Sequence, residues 1–166
     1  MSAARKLEFV FDEQIPPHVF KYVERELYDY PIHRAAVDEY ERKRQDILQR
    51  YRQWEPGEGG RPEGVPSDVT GENVLRLEAL EMRTERARRN VDAVESVLRT
   101  LDEEQRELVR LKYRAVLPED QQRGILPPPQ TFTNEQVVNE MSMSRGRFYT
   151  MRQDIVRKLA LRMGLL

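Results

Sequence analysis

Between Thr133 and Ile155 the chain reads TNEQVVNEMSMSRGRFYTMRQDI, and here lie the residues best suited to binding an anion. Arg145 and Arg147 follow directly on Ser144. Arg152, Arg157, Lys158 and Arg162 continue the basic series, against a single acid, Asp154. A guanidinium presents a fork of donors that matches two phosphate oxygens or the O6/N7 edge of guanine. A hydroxyl residue just ahead of a helix leaves backbone N–H groups that can meet a phosphate.

The spacing places these groups on one surface. Thr133 followed three residues later by Gln136 is a capping box that starts a short helix carrying Val137, Val138 and Met141. Ser142-Met143-Ser144 forms a tight turn, in which Ser142 takes a position often given to glycine. Ser144 caps a longer helix with Phe148, Met151, Ile155 and Leu159 inward. The opposite face presents Gly146, Tyr149, Thr150, Gln153 and Arg157, flanked by Arg145 and Arg147. A short helix, a turn and a second helix with a basic first turn make the layout of a helix-turn-helix, whose second helix enters the major groove of DNA. The expected DNA-binding residues are therefore Thr133, Ser144, Arg145, Gly146, Arg147, Tyr149, Thr150, Arg152, Gln153, Arg157 and Lys158. Gly146 would let the backbone approach DNA closely, and Arg152 and Lys158 would contact phosphates.

The elements that must position this surface are helical. Glu55 to Pro66, EPGEGGRPEGVP, cannot propagate helix or strand. Leu117 to Thr131 contains Pro127-Pro128-Pro129, which predicts a stiff extended spacer. Before the first break, Val19, Val23, Leu27 and Tyr30 line a short helix that Pro31 should break or kink. A second helix follows, with Val37, Tyr40, Arg44, Ile47, Tyr51 and Trp54 at heptad spacing. After the break, Ser67 or Asp68 can cap a long helix with a seam of Leu77, Leu80, Thr84, Ala87, Val91, Val94, Leu98 and Leu101. Thr100 or Asp102 can cap the next, with Leu108, Val109, Leu111 and Tyr113 inward. No strand pattern and no repeat is present. The expectation is an all-α fold: long coiled-coil-like helices in a hairpin plus a C-terminal helix-turn-helix. Residues 1–116 would form the helical region with its loop at 55–66, 117–131 a linker, and 132–166 the DNA-binding module. The seams can pair within one chain or between chains.

Composition narrows the alternatives. The 166 residues include no cysteine, which removes disulfides and thiol chemistry and fits a reducing cytoplasm. Net charge is −1, so the basic C-terminal stretch matters more than the total. Gly57 to Gly60, GEGG, lacks the Gly-Lys-Ser/Thr ending of a phosphate loop and reads as linker. His18 and His33 stand apart from other metal-binding types. Asp102-Glu103-Glu104 suits a helix N-terminus better than acid–base catalysis. Residues Met1 to Phe11 show no signal-peptide pattern, and no apolar run is long enough to span a membrane. Nothing predicts an enzyme, a cofactor or a metal.

Three segments carry a resemblance to a known family. Gly59-Gly60 precedes Ser67-Asp68-Val69-Thr70. Val94 to Tyr113 reads VESVLRTLDEEQRELVRLKY, and Met141 to Gly164 reads MSMSRGRFYTMRQDIVRKLALRMG. In these the chain resembles the ArpU/RinA family of phage transcription regulators. That resemblance implies N-terminal helices, a Gly-rich loop ending in a Ser-Asp-x-Thr motif, a long helix, and a sigma-region-4-like helix-turn-helix. It also implies late gene activation on double-stranded DNA through bacterial RNA polymerase in the host cytoplasm. A monomer or weak homodimer is expected. The rival readings are a small-terminase-like DNA-packaging protein and a helical interaction module that binds no nucleic acid.

Overall fold

A computed structural model describes residues 14–53 and 69–166. Six helices and no strand occur among the described residues, so the fold is all-α. In chain order they are α1 (Pro17–Gln53), α2 (Val69–Leu98), α3 (Glu103–Tyr113), α4 (Pro118–Gln122), α5 (Asn134–Glu140) and α6 (Arg145–Arg162). The Gly/Pro loop, the Ser67 and Asp68 caps, Trp54 and the N-terminal eleven residues lie outside the described residues.

The first correction concerns Pro31. Of the break or kink expected there, the break is excluded, because helix α1 runs continuously through the proline. An interior proline removes one hydrogen bond and crowds the preceding turn. Burial on both sides offsets that cost: Val23, Leu27 and Tyr30 precede the proline, and Val37 and Tyr40 follow it, all at 7% exposure or less.

The second correction concerns the Pro-rich segment expected as a stiff spacer. The described residues up to Asp29 and Ala93–Leu166 form one compact unit, and Tyr30–Asp92 forms another. Residues 117–131 lie within the first of these units. Leu117 and Asp120 are buried, and Pro128 is also buried. The Arg110 guanidinium donates to the Leu126 carbonyl at 2.9 Å, and Arg114 Nε donates to the Pro128 carbonyl at 2.8 Å. The Phe132 N–H returns to the Leu111 carbonyl at 3.0 Å. Two arginines of the α3 end thus clamp the proline-rich segment to the helix it leaves, and it does not act as a free spacer.

In the Tyr30–Asp92 unit, Arg88 stacks 4.8 Å from the centre of the Tyr40 ring and lies 3.8 Å from Glu41. Farther along, Lys43, Asp46, Ile47 and Arg50 share a cleft with Arg76, Ala79, Leu80 and Arg83. Rising numbers on α1 meet falling numbers on α2, so the two run antiparallel within one chain, as a hairpin requires. The α2 seam is half-buried at Leu77, Leu80 and Thr84 and buried at Ala87 and Val91. On α1 the expected polar insertion, Arg44, is exposed and Ile47 is half-buried.

In the other unit the seam continues through buried Val94, Leu98 and Leu101. Asp102 is the residue that caps α3. Its Oδ1 accepts from the Gln105 N–H at 2.7 Å, and the Gln105 side chain completes the capping box. Leu108, Val109, Leu111 and Tyr113 are buried as their spacing predicts. The core of this unit also takes in Val137 from α5 and Phe148, Ile155, Val156, Leu159 and Ala160 from α6.

Candidate nucleic-acid interface

The candidate surface is built on α5, the turn after it, and α6. At the start of α5 the Gln136 N–H donates to Thr133 Oγ1 at 3.2 Å, and the Thr133 N–H donates to Gln136 Oε1 at 2.9 Å. The helix ends at Met141, and Ser142 takes a left-handed conformation with φ 51°. Its N–H donates to the Asn139 carbonyl, and the Met143 N–H donates to the Val138 carbonyl. The chain reverses within this turn, and Ser144 Oγ then accepts from the Arg147 N–H at 3.2 Å to start α6. Phe148 and Val137 are completely buried, and both helices pack against α3. The inward face predicted for α6 holds at Phe148, Ile155 and Leu159, with Met151 half-buried. It extends to Val156 and Ala160, which heptad-style spacing omits.

One stripe of α6 faces outward. Gly146, Tyr149, Thr150 and Gln153 are exposed at helical spacing, as are Ser144, Arg145 and Arg147 in the first turn and Thr133 on α5. A Cβ added at Gly146 would meet nothing within 4 Å, so no packing in this chain requires glycine there. Thr150 Oγ1 donates to the Gly146 carbonyl at 3.0 Å. The Tyr149 ring stands edge-on to Phe148, with its centre 5.2 Å away. This fixes the ring while leaving it 49% exposed.

Helix α3 holds α6 from behind. Gln105 Nε2 donates to Asp154 Oδ2 at 2.7 Å, and Asp154 pairs with Lys158 at 2.9 Å. Lys158 is therefore half-buried against a carboxylate on its own helix, and Arg157 is half-buried too.

Arg152 is a correction. Its side chain is only 17% exposed, and it is bound to Glu24 on α1. Nε and Nη2 donate to Glu24 Oε1 at 2.8 and 2.5 Å, and the guanidinium lies 4.8 Å from the Phe20 ring centre. The Tyr113 hydroxyl donates to the same carboxylate oxygen at 2.8 Å. Burial by itself would lower the Arg152 pKa. Hydrogen bonding to Glu24 and the neighbouring Tyr113 oxygen more than offset it, so the guanidinium stays charged above its ordinary range. Arg152 is a core-facing group committed to protein and is not placed to meet a phosphate.

Beside this cluster Lys112, 5% exposed, donates to the Tyr28 hydroxyl at 3.0 Å and lies over the Tyr28 and Tyr113 rings. The sequence pattern missed Glu24, Lys112 and the double role of Tyr113. Their partners lie 84 to 128 residues away, beyond the reach of any local spacing rule. A cleft of about 1150 Å³ beside α3 and α4, lined by residues such as Arg106, Glu107, Asp120 and Leu126, contains none of the predicted binding residues.

No protein-family model, curated protein or solved structure matches this chain. No helix among the described residues is long and apolar enough to cross a membrane.

Proposed function

We propose that this chain is a sequence-specific double-stranded DNA-binding protein that acts as a transcription regulator, with α5 and α6 as its helix-turn-helix and α6 as the recognition helix. The observation that carries this reading is the exposed stripe of Ser144, Arg145, Gly146, Arg147, Tyr149, Thr150 and Gln153, on a helix whose other side buries Phe148, Ile155, Val156, Leu159 and Ala160. Such a stripe offers donors for base edges at one end and a flat, sterically open face beside them. Arg157 and Lys158 lie farther along the same helix and supply positive charge for the backbone. Its action is binding, with no bond made or broken. Control of late phage genes through bacterial RNA polymerase is the biological setting that the resemblance of its motifs suggests.

Selection from random duplexes, followed by titration across salt concentrations, tests the reading. A specific protein recovers a consensus and loses affinity linearly in log salt. Arg145→Ala and Arg147→Ala each weaken the selected site by about 1–3 kcal/mol where the arginine reads a base bidentately. Unchanged affinity in both variants rejects this face.

A further inference from the structure

Both first-turn arginines of the proposed recognition helix are already engaged, each by a carboxylate from a different helix. Arg147 Nη2 donates to Glu104 Oε2 at 2.5 Å, and Glu104 sits in the first turn of α3. Arg145 Nη2 donates to Glu135 Oε1 at 3.1 Å, and Glu135 sits in the first turn of α5. Negative charge is favoured at both helix starts, so each acid has a local reason to stay ionised where it stands. Side-chain exposure is 61% for Arg147 and 38% for Glu104, and 74% for Arg145 and 76% for Glu135, so DNA can reach both pairs. A carboxylate offers a guanidinium the same kind of paired oxygen acceptors that a phosphate does.

We infer that Glu104 and Glu135 are intramolecular competitors for DNA at the Arg147 and Arg145 sites. The inference rests on the DNA-binding reading above and names the regulation of that same surface. Any contact between these arginines and a duplex displaces a carboxylate first. The displacement is the same whether the arginine goes on to a phosphate or to a guanine edge. Glu104 and Glu135 therefore lower affinity for all duplexes alike and leave sequence preference unchanged. Exposed pairs are weak, so each acid reduces affinity by a small factor and does not abolish binding. The contrary arrangement, in which the acids hold the arginines ready for a base, has the opposite sign, because removing them would then weaken binding.

Fluorescence anisotropy with a labelled mixed-sequence DNA duplex at low salt tests this on the full chain. Glu104→Gln and Glu135→Gln are each expected to tighten binding about two- to fivefold. Glu103→Gln makes the same charge change one residue away from Glu104 and outside both pairs, and it should tighten binding less than either. In an Arg147→Ala background, Glu104→Gln should add no more than Glu103→Gln does, because the competitor has lost its target. Three outcomes overturn the inference while leaving the DNA reading intact: equal or weaker binding by both Gln variants, an equal gain in Glu103→Gln, or a gain by Glu104→Gln that stays as large without Arg147. Absence of binding by the wild type and by every Gln variant overturns the DNA reading and this inference with it.

Discussion

Arg152 and Glu24 form a hydrogen-bonded ion pair between α6 and α1, with two guanidinium nitrogens on one carboxylate oxygen and the Tyr113 hydroxyl on the same atom. Three helices thus converge on a single oxygen. The pair is mostly removed from water, where a lone charge is costly. Arg152→Ala leaves Glu24 without its cation, and Glu24→Ala strands the guanidinium. Each should destabilise the protein by roughly 2–4 kcal/mol, near the range for broken buried pairs. The double change Glu24→Leu with Arg152→Met should recover most of that loss. Urea unfolding of the four proteins gives the comparison, and a double variant as unstable as the singles would contradict it. The same data separate Arg152 from a phosphate contact, which would alter the salt dependence of DNA binding at unchanged stability.

Phe148→Ala removes a fully buried ring from the inward face of α6 and should cost about 3–5 kcal/mol. Because α3 and α6 are joined through Gln105 and Asp154 and share one core, the loss should spread to α3 and not stay in the last two helices. Native-state hydrogen exchange is the measurement. Faster exchange confined to residues 134–162, with α3 protected as before, would restore the picture of an insulated C-terminal module.

Alkaline conditions should weaken the same core through Tyr113. Burial, followed by the nearby Glu24 charge, pushes its phenol well above the ordinary tyrosine range. The folded state therefore favours the protonated phenol. Its stability contribution is complete below a pH of about 10, where an unfolded tyrosine titrates, and declines as pH rises beyond that. Tyr113→Phe, which has no phenol to ionise, should lose less stability than the wild type between about pH 9 and 11. Parallel slopes for the two proteins would dismiss this linkage.

The turn before α6 offers a test of backbone conformation alone. Ser142 has φ 51° and is exposed, so its side chain contributes little packing. Left-handed backbone is costly for residues with a Cβ and more so for β-branched ones. Ser142→Gly should leave stability equal or higher by up to about 1 kcal/mol, the relief being partly offset by the entropy of an unfolded glycine. Ser142→Val should lower it by about 1–2 kcal/mol. Thermal melts decide this, and a valine variant as stable as the wild type would mean that the turn has another conformation.

Local rules read the helices well. Apolar spacing located the inward faces of α2, α3 and α6; the glutamine three positions after Thr133 marked that cap, and Asp102 was one of two candidates for the cap of α3. Those signals lie within a few residues of one another, as the physics of a helix turn does. Two misreadings share a different cause. Pro31 lies inside a helix because packing on both sides outweighs its local penalty. The Pro127–Pro129 stretch looked like a spacer, but Arg110 and Arg114 capture its carbonyls. On the candidate face of α6, the exposed stripe was readable from helical periodicity. Arg152 was assigned to solvent by its charge, and only the fold brings Glu24 to it.

The order in which the parts of the first unit leave the ribosome follows from its assembly out of two distant stretches of chain. Glu24 is synthesised 128 residues before the Arg152 that neutralises it. At about 5–20 residues per second, that interval is roughly 6–26 s. The Tyr30–Asp92 hairpin is complete well before it ends. During that time Glu24 and Phe20 lack the guanidinium that meets them in the folded unit, so the α1 end of this core waits, incomplete, for the last helix of the chain.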